Sequence, residues 1–308
     1  MSDTKKPTAS HHTGDDPVGD LAQFQDRILT PYLEGRGDDD VMADEMAARS
    51  FIPPMTAYQR NFSAVAFDLP KYEAGKCVAC MECVIACPDA AIYARVNTVD
   101  EKDKALVFNK EDKNAIVKNE VLDANFAKTP KFWNTMEKRG QKPGLFSIWT
   151  DPDKCKGCGE CVQVCTEHGA LKMVSKDELN MDHERGIFEF FKTLPPTAEN
   201  FISEKLLVDL FLLDDHWVYK GGAGSCKGCG EITTLKMALS ATSYKYGSNM
   251  AIVASTGCNS VFSATYPYNI FNVPWTNPLF ENAPATGIGV RMRLDQQGHE
   301  DTKVWIVG

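Results

Sequence analysis

The sequence predicts an α+β domain built around two cysteine runs, followed by an α/β domain that contains a parallel sheet. Two observations support this fold class. Cysteines recur at the same spacing in CVACMECVIACP (77–88) and CKGCGECVQVCT (155–166), which indicates a duplicated metal-binding unit. From residue 221 onward, apolar strand patterns alternate with a helical pattern, as is typical of parallel α/β sheets.

The composition narrows the class of protein. The 308 residues include 42 acidic and 33 basic side chains, a net charge of −9 that disfavours nucleic-acid binding, which needs basic surface. No apolar run approaches the roughly 18–20 residues of a membrane span, and the polar start of the chain lacks the apolar core of a secretion signal. We therefore expect a cytoplasmic protein that binds neither nucleic acid nor membrane.

The first segment, residues 1–62, is predicted to be an acidic, partly disordered arm or linker. Its first twenty residues are expected to be disordered, GRGDDD (35–40) to form a loop, and VMADEMAARSF (41–51) is a candidate helix. Two interpretations stay open for this segment, a solvated linker and an arm that contacts another subunit.

The cluster region, residues 63–180, carries both cysteine runs. Between them, residues 88–154 are predicted to be a long charged insertion with one strand and one short helix. Three cysteines at steps of three can wrap one corner of a [4Fe–4S] cube, and in two-cluster ferredoxins the fourth cysteine ligates the other cluster. One cluster is therefore predicted on Cys77, Cys80, Cys83 and Cys165, and the other on Cys155, Cys158, Cys161 and Cys87.

A zinc ribbon is the alternative for paired cysteines, but it needs only four ligands and leaves the rest of both runs unused. Thr166 stands where a proline usually follows the last cysteine, and that position is not a ligand. Small residues beside the cysteines, Ala79, Gly157 and Gly159, suit a backbone that approaches sulfide closely and donates N–H bonds to sulfur.

Residues 181–220 are predicted to be a helical connector, with helices over GIFEFFKTL (186–194) and FISEKLLVDLFLL (201–213). A glycine-rich loop follows, and then EITTLKMALSATSYKYG (231–247), a helix closed by its final glycine. NMAIVAST (249–256) reads as a buried strand, and TKVWIVG (302–308) reads as a second apolar strand. Ligands of parallel sheets lie at the carboxyl ends of the strands, where Cys258 is placed.

The Cys226–Cys229 pair by itself is either half of a ligand set or two thiols in a turn. Its context is more specific, because CKGCGE (226–231), STGCNS (255–260) and WTNPLFENA (275–283) follow one another. With DLPKYEAGKCVACMECVIACPDAAI (68–92), DPDKCKGCGECVQVC (151–165) and FEFFKTLP (188–195), these segments resemble the 2-oxoacid:ferredoxin oxidoreductases, and most closely the pyruvate:ferredoxin (flavodoxin) type. The resemblance covers roughly residues 62–308.

The resemblance implies a two-[4Fe–4S] ferredoxin-like domain at 63–180 and the N-terminal part of a thiamine-diphosphate-binding domain at 221–308. It implies that Cys226, Cys229 and Cys258 hold a third [4Fe–4S] cluster, and that Glu231 and Cys258 approach the thiamine diphosphate. The glycines near Cys226 would let the backbone pass close to both groups. The fourth ligand of that cluster and the Mg²⁺ ligands are expected outside this chain.

The implied reaction is the coenzyme A-dependent oxidative decarboxylation of pyruvate, or its reverse, with electrons passed to ferredoxin or flavodoxin. The partners would be complementary subunits, or missing segments of the same enzyme, without which this chain is not expected to turn over substrate. Two alternatives remain, 2-oxoglutarate or another 2-oxoacid as substrate, and a dicluster electron-transfer subunit without thiamine. The resemblance assigns no catalytic acid or base to this chain.

Overall fold

The computed structural model describes residues 21–43, 51–213, 218–247, 249–263 and 265–308. The expected disorder of residues 1–20 and most of the candidate helix at 41–51 lie outside these residues. The chain forms two compact units. The sheet unit comprises Met1–Gln59, Asp215–Ser225 and Ala238–Gly308, and the cysteine unit comprises Arg60–Asp214 and Cys226–Met237.

The described residues contain eight strands and thirteen α-helical segments. The strands are β1 (Asp68–Tyr72), β2 (Ile92–Asn97), β3 (Phe126–Ala127), β4 (Leu145–Thr150), β5 (Leu171–Ser175), β6 (Met250–Ala254), β7 (Trp275–Thr276) and β8 (Lys303–Val307). The helices are α1 (Leu21–Phe24), α2 (Thr30–Leu33), α3 (Gly37–Asp40), α4 (Glu82–Ala86), α5 (Val99–Glu111), α6 (Asn119–Asp123), α7 (Thr135–Lys138), α8 (Glu160–Val164), α9 (Met181–Thr193), α10 (Leu207–Leu210), α11 (Gly230–Tyr246), α12 (Cys258–Ser263) and α13 (Ala283–Gln296).

The cysteine unit repeats one motif twice: strand, cysteine loop, short helix, strand. In the first copy these elements are β1, α4 and β2, and in the second they are β4, α8 and β5. The copies interlock because β1 pairs antiparallel with β5 and β2 pairs antiparallel with β4. The two short helices, α4 and α8, pack against each other. This ferredoxin-like arrangement brings the ends of both cysteine runs together.

The inserted segment is shorter and more structured than predicted. Strands β2 and β4 belong to the repeat, so the insertion covers residues 98–144 rather than 88–154. It contains three α-helices, a π-helical turn and the short strand β3, where the sequence analysis expected one strand and one helix. Helix α5 begins in a capping box, in which the side chains of Thr98 and Glu101 each accept a bond from the other residue's backbone N–H.

Helix α9 covers the predicted GIFEFFKTL segment and supplies aromatic side chains to the core of the cysteine unit. Phe190 and Phe191 pack against Trp149 of β4, with ring centroids 5.7 and 6.0 Å from the indole. The cluster of buried residues comprises Ala105, Val117, Leu122, Trp149, Ile187, Phe188, Phe190, Phe191 and Leu194. Because Trp149 lies on β4, α9 fixes a strand that leads directly into the second cysteine loop.

Most of the second predicted connector helix is not helical in the structure. FISEKLLVDLFLL forms only a 3₁₀ turn at Glu199–Phe201 and the short helix α10. The fully buried Asp209 explains this difference. Its carboxylate accepts the backbone N–H of Ser203 at 3.0 Å and pairs with the Lys131 ammonium, so the chain folds back instead of continuing as a helix.

The sheet unit contains a parallel sheet of order β7–β6–β8, as the strand patterns predict. Helix α11 begins at Gly230 and ends before Gly247, whose φ of +73° suits a left-handed helix terminus. Residues 52–57 run beside the same unit, where the Ile52 N–H donates to Trp275 and the Ala57 N–H to Asn269. Residues 52–57 thus belong to the sheet unit, whose first part ends at Gln59, close to the boundary expected at residue 62. Among the described residues, no helix is long and apolar enough to cross a membrane.

Candidate iron–sulfur centres

Two cavities in the cysteine unit are lined by cysteines. The first cavity is lined by Cys77, Cys80, Cys83 and Cys165, together with Tyr72 and apolar side chains such as Phe146 and Leu171. The second cavity is lined by Cys87, Cys155, Cys158 and Cys161, together with Asp89 and Lys156. Each cavity therefore gathers three cysteines from one run and the last cysteine of the other.

This exchange of the fourth cysteine follows from the packing of the two short helices. Cys87 comes directly after α4 and Cys165 directly after α8. Because α4 and α8 pack together, the end of each run lies beside the loop of the other run. The two groups of four are the groups that the cysteine spacing predicts.

The cysteines surround cavities rather than single points. Among the described residues, no three His, Cys, Asp or Glu side chains are close enough to hold one metal ion. A zinc ribbon would require four sulfur atoms to converge on one ion. Four thiols spread around a cavity instead match the donor set of a [4Fe–4S] cluster, whose irons each take one cysteine.

The backbone of both cysteine loops is arranged in the same way. Left-handed conformations occur at Ala79 and Met81 in the first loop (φ +63° and +64°) and at Gly157 and Gly159 in the second (φ +66° and +84°). The N–H of Ala79 lies 3.4 Å from the Cys77 sulfur, and the N–H of Gly157 lies 3.4 Å from the Cys155 sulfur. These bonds favour thiolate over thiol and thus suit metal-bound sulfur.

Burial acts on the cysteines in the opposite direction. It raises the pKa of Cys87 to about 11 and that of Cys155 to about 12. The free thiols are therefore protonated at neutral pH, and a metal that binds them must displace the protons. At the first cavity, the buried Tyr72 hydroxyl lies next to the Cys77 thiol and provides a donor for a thiolate.

Three buried charged residues near the second cavity were not found by sequence reasoning. Lys156 and Asp89 form an ion pair of 2.8 Å, with both side chains 3% exposed. Lys236 of α11 is 1% exposed, and its ammonium donates to the carbonyls of Val84 (2.9 Å) and Cys87. Burial lowers the pKa of Lys236 to about 8. The charges beside the cysteines in CPDAA and CKGCG were the available sequence signal for the first two.

The loop that carries Cys226 and Cys229 lies against the second cavity. The backbone N–H of Gly228 donates to the Cys158 thiol. Gly228 has a φ of +70°, and a Cβ at this position would lie 2.9 Å from the Glu160 carboxylate. The pair is therefore held within the cysteine unit, with Cys226 exposed and Cys229 partly buried.

The remaining predicted site residues are not brought together within one unit. Glu231 is exposed in the first turn of α11, in the part of that helix that belongs to the cysteine unit. Cys258 is exposed at the first residue of α12, in the sheet unit. Their assignment to a third cluster and to thiamine diphosphate stays a prediction.

We expect Ala79→Gly to stabilise the cysteine unit, because an L-residue in the left-handed region costs about 1 kcal/mol more than glycine. The thermal midpoint of the anaerobically reconstituted protein should rise by about 2–4 °C. Gly157→Ala is the matched reverse change. It should lower the thermal midpoint by more than Ala79→Gly raises it, since its Cβ would lie 2.8 Å from the Asp68 carbonyl oxygen. Equal midpoints for the two variants would contradict this account of the loops.

Comparison with known proteins supports an iron–sulfur assignment. Residues 148–167 match the family model described as a 4Fe-4S binding domain. The chain is 27% identical to a probable pyruvate-flavodoxin oxidoreductase of Escherichia coli over 94% of its length, and 28% identical to a pyruvate-flavodoxin oxidoreductase of Nostoc over 89%. It is 25% identical to a pyruvate:ferredoxin oxidoreductase of Moorella thermoacetica over 92%.

These matches confirm the resemblance derived from the motifs. They also set its extent, because the chain spans only 21–23% of the length of these three relatives.

Proposed function

We propose that this chain, a relative of the pyruvate-flavodoxin and pyruvate:ferredoxin oxidoreductases, is the iron–sulfur portion of a 2-oxoacid oxidoreductase. The observation that carries the proposal is the grouping of cysteines, four around each of two cavities, with one cysteine exchanged between the runs. A chain that served only as a scaffold would not need eight thiols in two cavities lined largely by buried residues.

The proposed ligands are the four cysteines of each cavity. When bound, [4Fe–4S] clusters take up and release single electrons. The protein residues supply the ligands, the N–H bonds to sulfur and the apolar surroundings that exclude water. Tyr72, Phe146 and Leu171 cover the first cavity, while Lys156 and Asp89 line the second.

The third proposed centre uses Cys226, Cys229 and Cys258, with a further ligand from outside the 308 residues. The bond from Gly228 to Cys158 supports a direct connection from this centre to the second cavity. The 226–229 loop and the two cavities would then hold three centres in sequence, which would supply a relay for single electrons. Glu231, two residues beyond Cys229, is the proposed contact to thiamine diphosphate.

The proposed reaction of the whole enzyme converts pyruvate and coenzyme A to acetyl-CoA and CO₂, and passes two electrons to ferredoxin or flavodoxin. Thiamine diphosphate and Mg²⁺ would be held mainly by segments outside this chain, because the relatives are more than four times as long. Pyruvate is proposed over other 2-oxoacids because it is the substrate in the names of these relatives.

A dicluster electron-transfer protein without thiamine is the second candidate. The exposure of Cys226 and Cys258 favours it, because the cysteines of the two cavities are all buried or partly buried. The two candidates differ in the number of clusters and in thiamine binding, both of which can be measured.

We expect the 308-residue chain, purified and reconstituted without oxygen, to hold about eight irons and to bind thiamine diphosphate weakly. Co-expressed with the remaining segments of the enzyme, it should hold about twelve irons and decarboxylate pyruvate. Iron analysis, calorimetric titration with thiamine diphosphate and CO₂ release test this. A complete complex with eight irons and no thiamine would favour the second candidate, and a chain that retains no iron would refute both.

A further inference from the structure

Three buried charged residues near the second cavity, Lys156, Asp89 and Lys236, are not cluster ligands in the proposed function. Lys156 and Asp89 line that cavity and neutralise each other, whereas Lys236 adds a cation on the carbonyls of Val84 and Cys87. At the first cavity, the charged or titratable residues among the lining that are not cysteine or tyrosine are Glu82 and His168, and both are exposed. A buried cation in addition to the Lys156–Asp89 pair thus contacts a cysteine residue of the second cavity, whereas no lysine or arginine is among the residues that line the first.

A buried lysine is rarely kept for stability alone. Desolvation of an ammonium is costly, and a residue of similar shape without charge is often as stable in such a position. Lys236 occupies the interior of α11, a helix that starts immediately after Cys229. Its ammonium reaches the end of α4, where Cys87 leaves the first run to line the second cavity.

Charge beside a cluster affects its reduction potential directly. Uptake of an electron adds negative charge, which a nearby cation stabilises, and the effect is strong where water is excluded. The Lys236 ammonium is bonded directly to the backbone of Cys87, which lines the second cavity, and to no cysteine that lines the first. Asp89 cancels much of the positive charge of Lys156. Loss of the Lys236 charge should therefore change the reduction potential of the second-cavity cluster.

We propose that Lys236 is a positioning residue that raises the reduction potential of the cluster in the second cavity above that of the cluster in the first. This inference rests on the proposed function, since it requires clusters at both sites. It makes the second cavity the better electron acceptor, at the place where the 226–229 loop contacts Cys158. Because Lys236 belongs to α11, the helix that follows the Cys226–Cys229 pair would then set the reduction potential of the second-cavity cluster.

The test is a redox titration of the reconstituted 308-residue chain with dithionite, followed by electron paramagnetic resonance. Lys236→Gln keeps a hydrogen-bond donor and removes the charge, so the midpoint potential of the second-cavity cluster should fall more than that of the first. Cys80→Ser alters the spectrum of the first-cavity cluster and thereby assigns the two midpoints. Arg95→Gln is the control, because Arg95 is also buried and donates to a carbonyl, that of Leu194, without lining either cavity.

A second variant gives the opposite sign and does not depend on the folding of the first. Asp89→Asn removes the negative partner of Lys156, so the midpoint of the second-cavity cluster should rise. Unchanged midpoints in both variants, or a shift equal to that of Arg95→Gln, would overturn the inference while leaving the proposed function intact. A wild-type chain that binds no clusters would overturn both.

Discussion

Replacing Cys165 with alanine is expected to destroy the cluster in the first cavity and to spare the cluster bound by the cysteines nearest to it in sequence. Cys165 follows Cys155, Cys158 and Cys161 in the chain, but it lines the cavity of Cys77, Cys80 and Cys83. The variant should retain about four irons instead of about eight, since a cube left with three thiolates is labile. Iron analysis with Mössbauer spectroscopy measures the loss.

Cys87→Ala is the matched variant and should produce the mirror result, with the second-cavity cluster lost and the first retained. The surviving cluster can be identified by adding Cys80→Ser to each single variant. The added change should alter the spectrum only where the first-cavity cluster survives, which is in Cys87→Ala. The exchange of ligands is refuted if Cys165→Ala instead abolishes the cluster of Cys155, Cys158 and Cys161.

The expected grouping of the cysteines had two sources, the spacing for the first three of each run and the ligand exchange of two-cluster ferredoxins for the fourth. Three cysteines at steps of three share one short loop, whereas the fourth lies beyond a helical turn and its place beside the other run depends on the packing of α4 against α8. The parallel strands β6 and β8 were predictable, as both are short, apolar and rich in β-branched residues.

Strand β2 was missed because two of its polar residues are buried by contacts with a distant part of the chain. Arg95 and Asn97 interrupt the apolar pattern of β2, but they donate to the carbonyls of Leu194 and Pro195, about a hundred residues later. The burial of Lys236 was not predictable from its own segment either. A lysine within a helix suggests exposure, and only the contact with Val84 and Cys87 reveals its burial.

The sequence analysis assigned the glycines near Cys226 to a backbone that passes close to two cofactors. In the structure, two of these glycines are also required by contacts within the protein. Gly228 fits against Glu160 within the cysteine unit, beside the thiol that its N–H contacts. Gly222 lies in the sheet unit and is required by contact with the backbone of Ala57. A glycine-rich loop can thus reflect close packing of the chain as well as the approach of a cofactor.

Gly222→Ala is accordingly expected to destabilise the sheet unit by about 2–5 kcal/mol, the sum of left-handed strain and overpacking. Gly222 has a φ of +87°, and an added Cβ would collide with the carbonyl group of Ala57, whose own N–H is bonded to Asn269. Hydrogen exchange should reveal loss of protection at β6 of the sheet unit. Strand β2 of the cysteine unit should remain protected.

Gly230→Ala is the matched control for this change. Gly230 is the first residue of α11, and a Cβ there would meet no atom within 4 Å, so alanine should be neutral or stabilise the helix by up to about 1 kcal/mol. Both substitutions lie within a few residues of Cys226, so an effect that arose only from proximity to a cluster site would appear in both. If both variants lost protection at β6 equally, the contact with Ala57 would not be the reason for glycine at position 222.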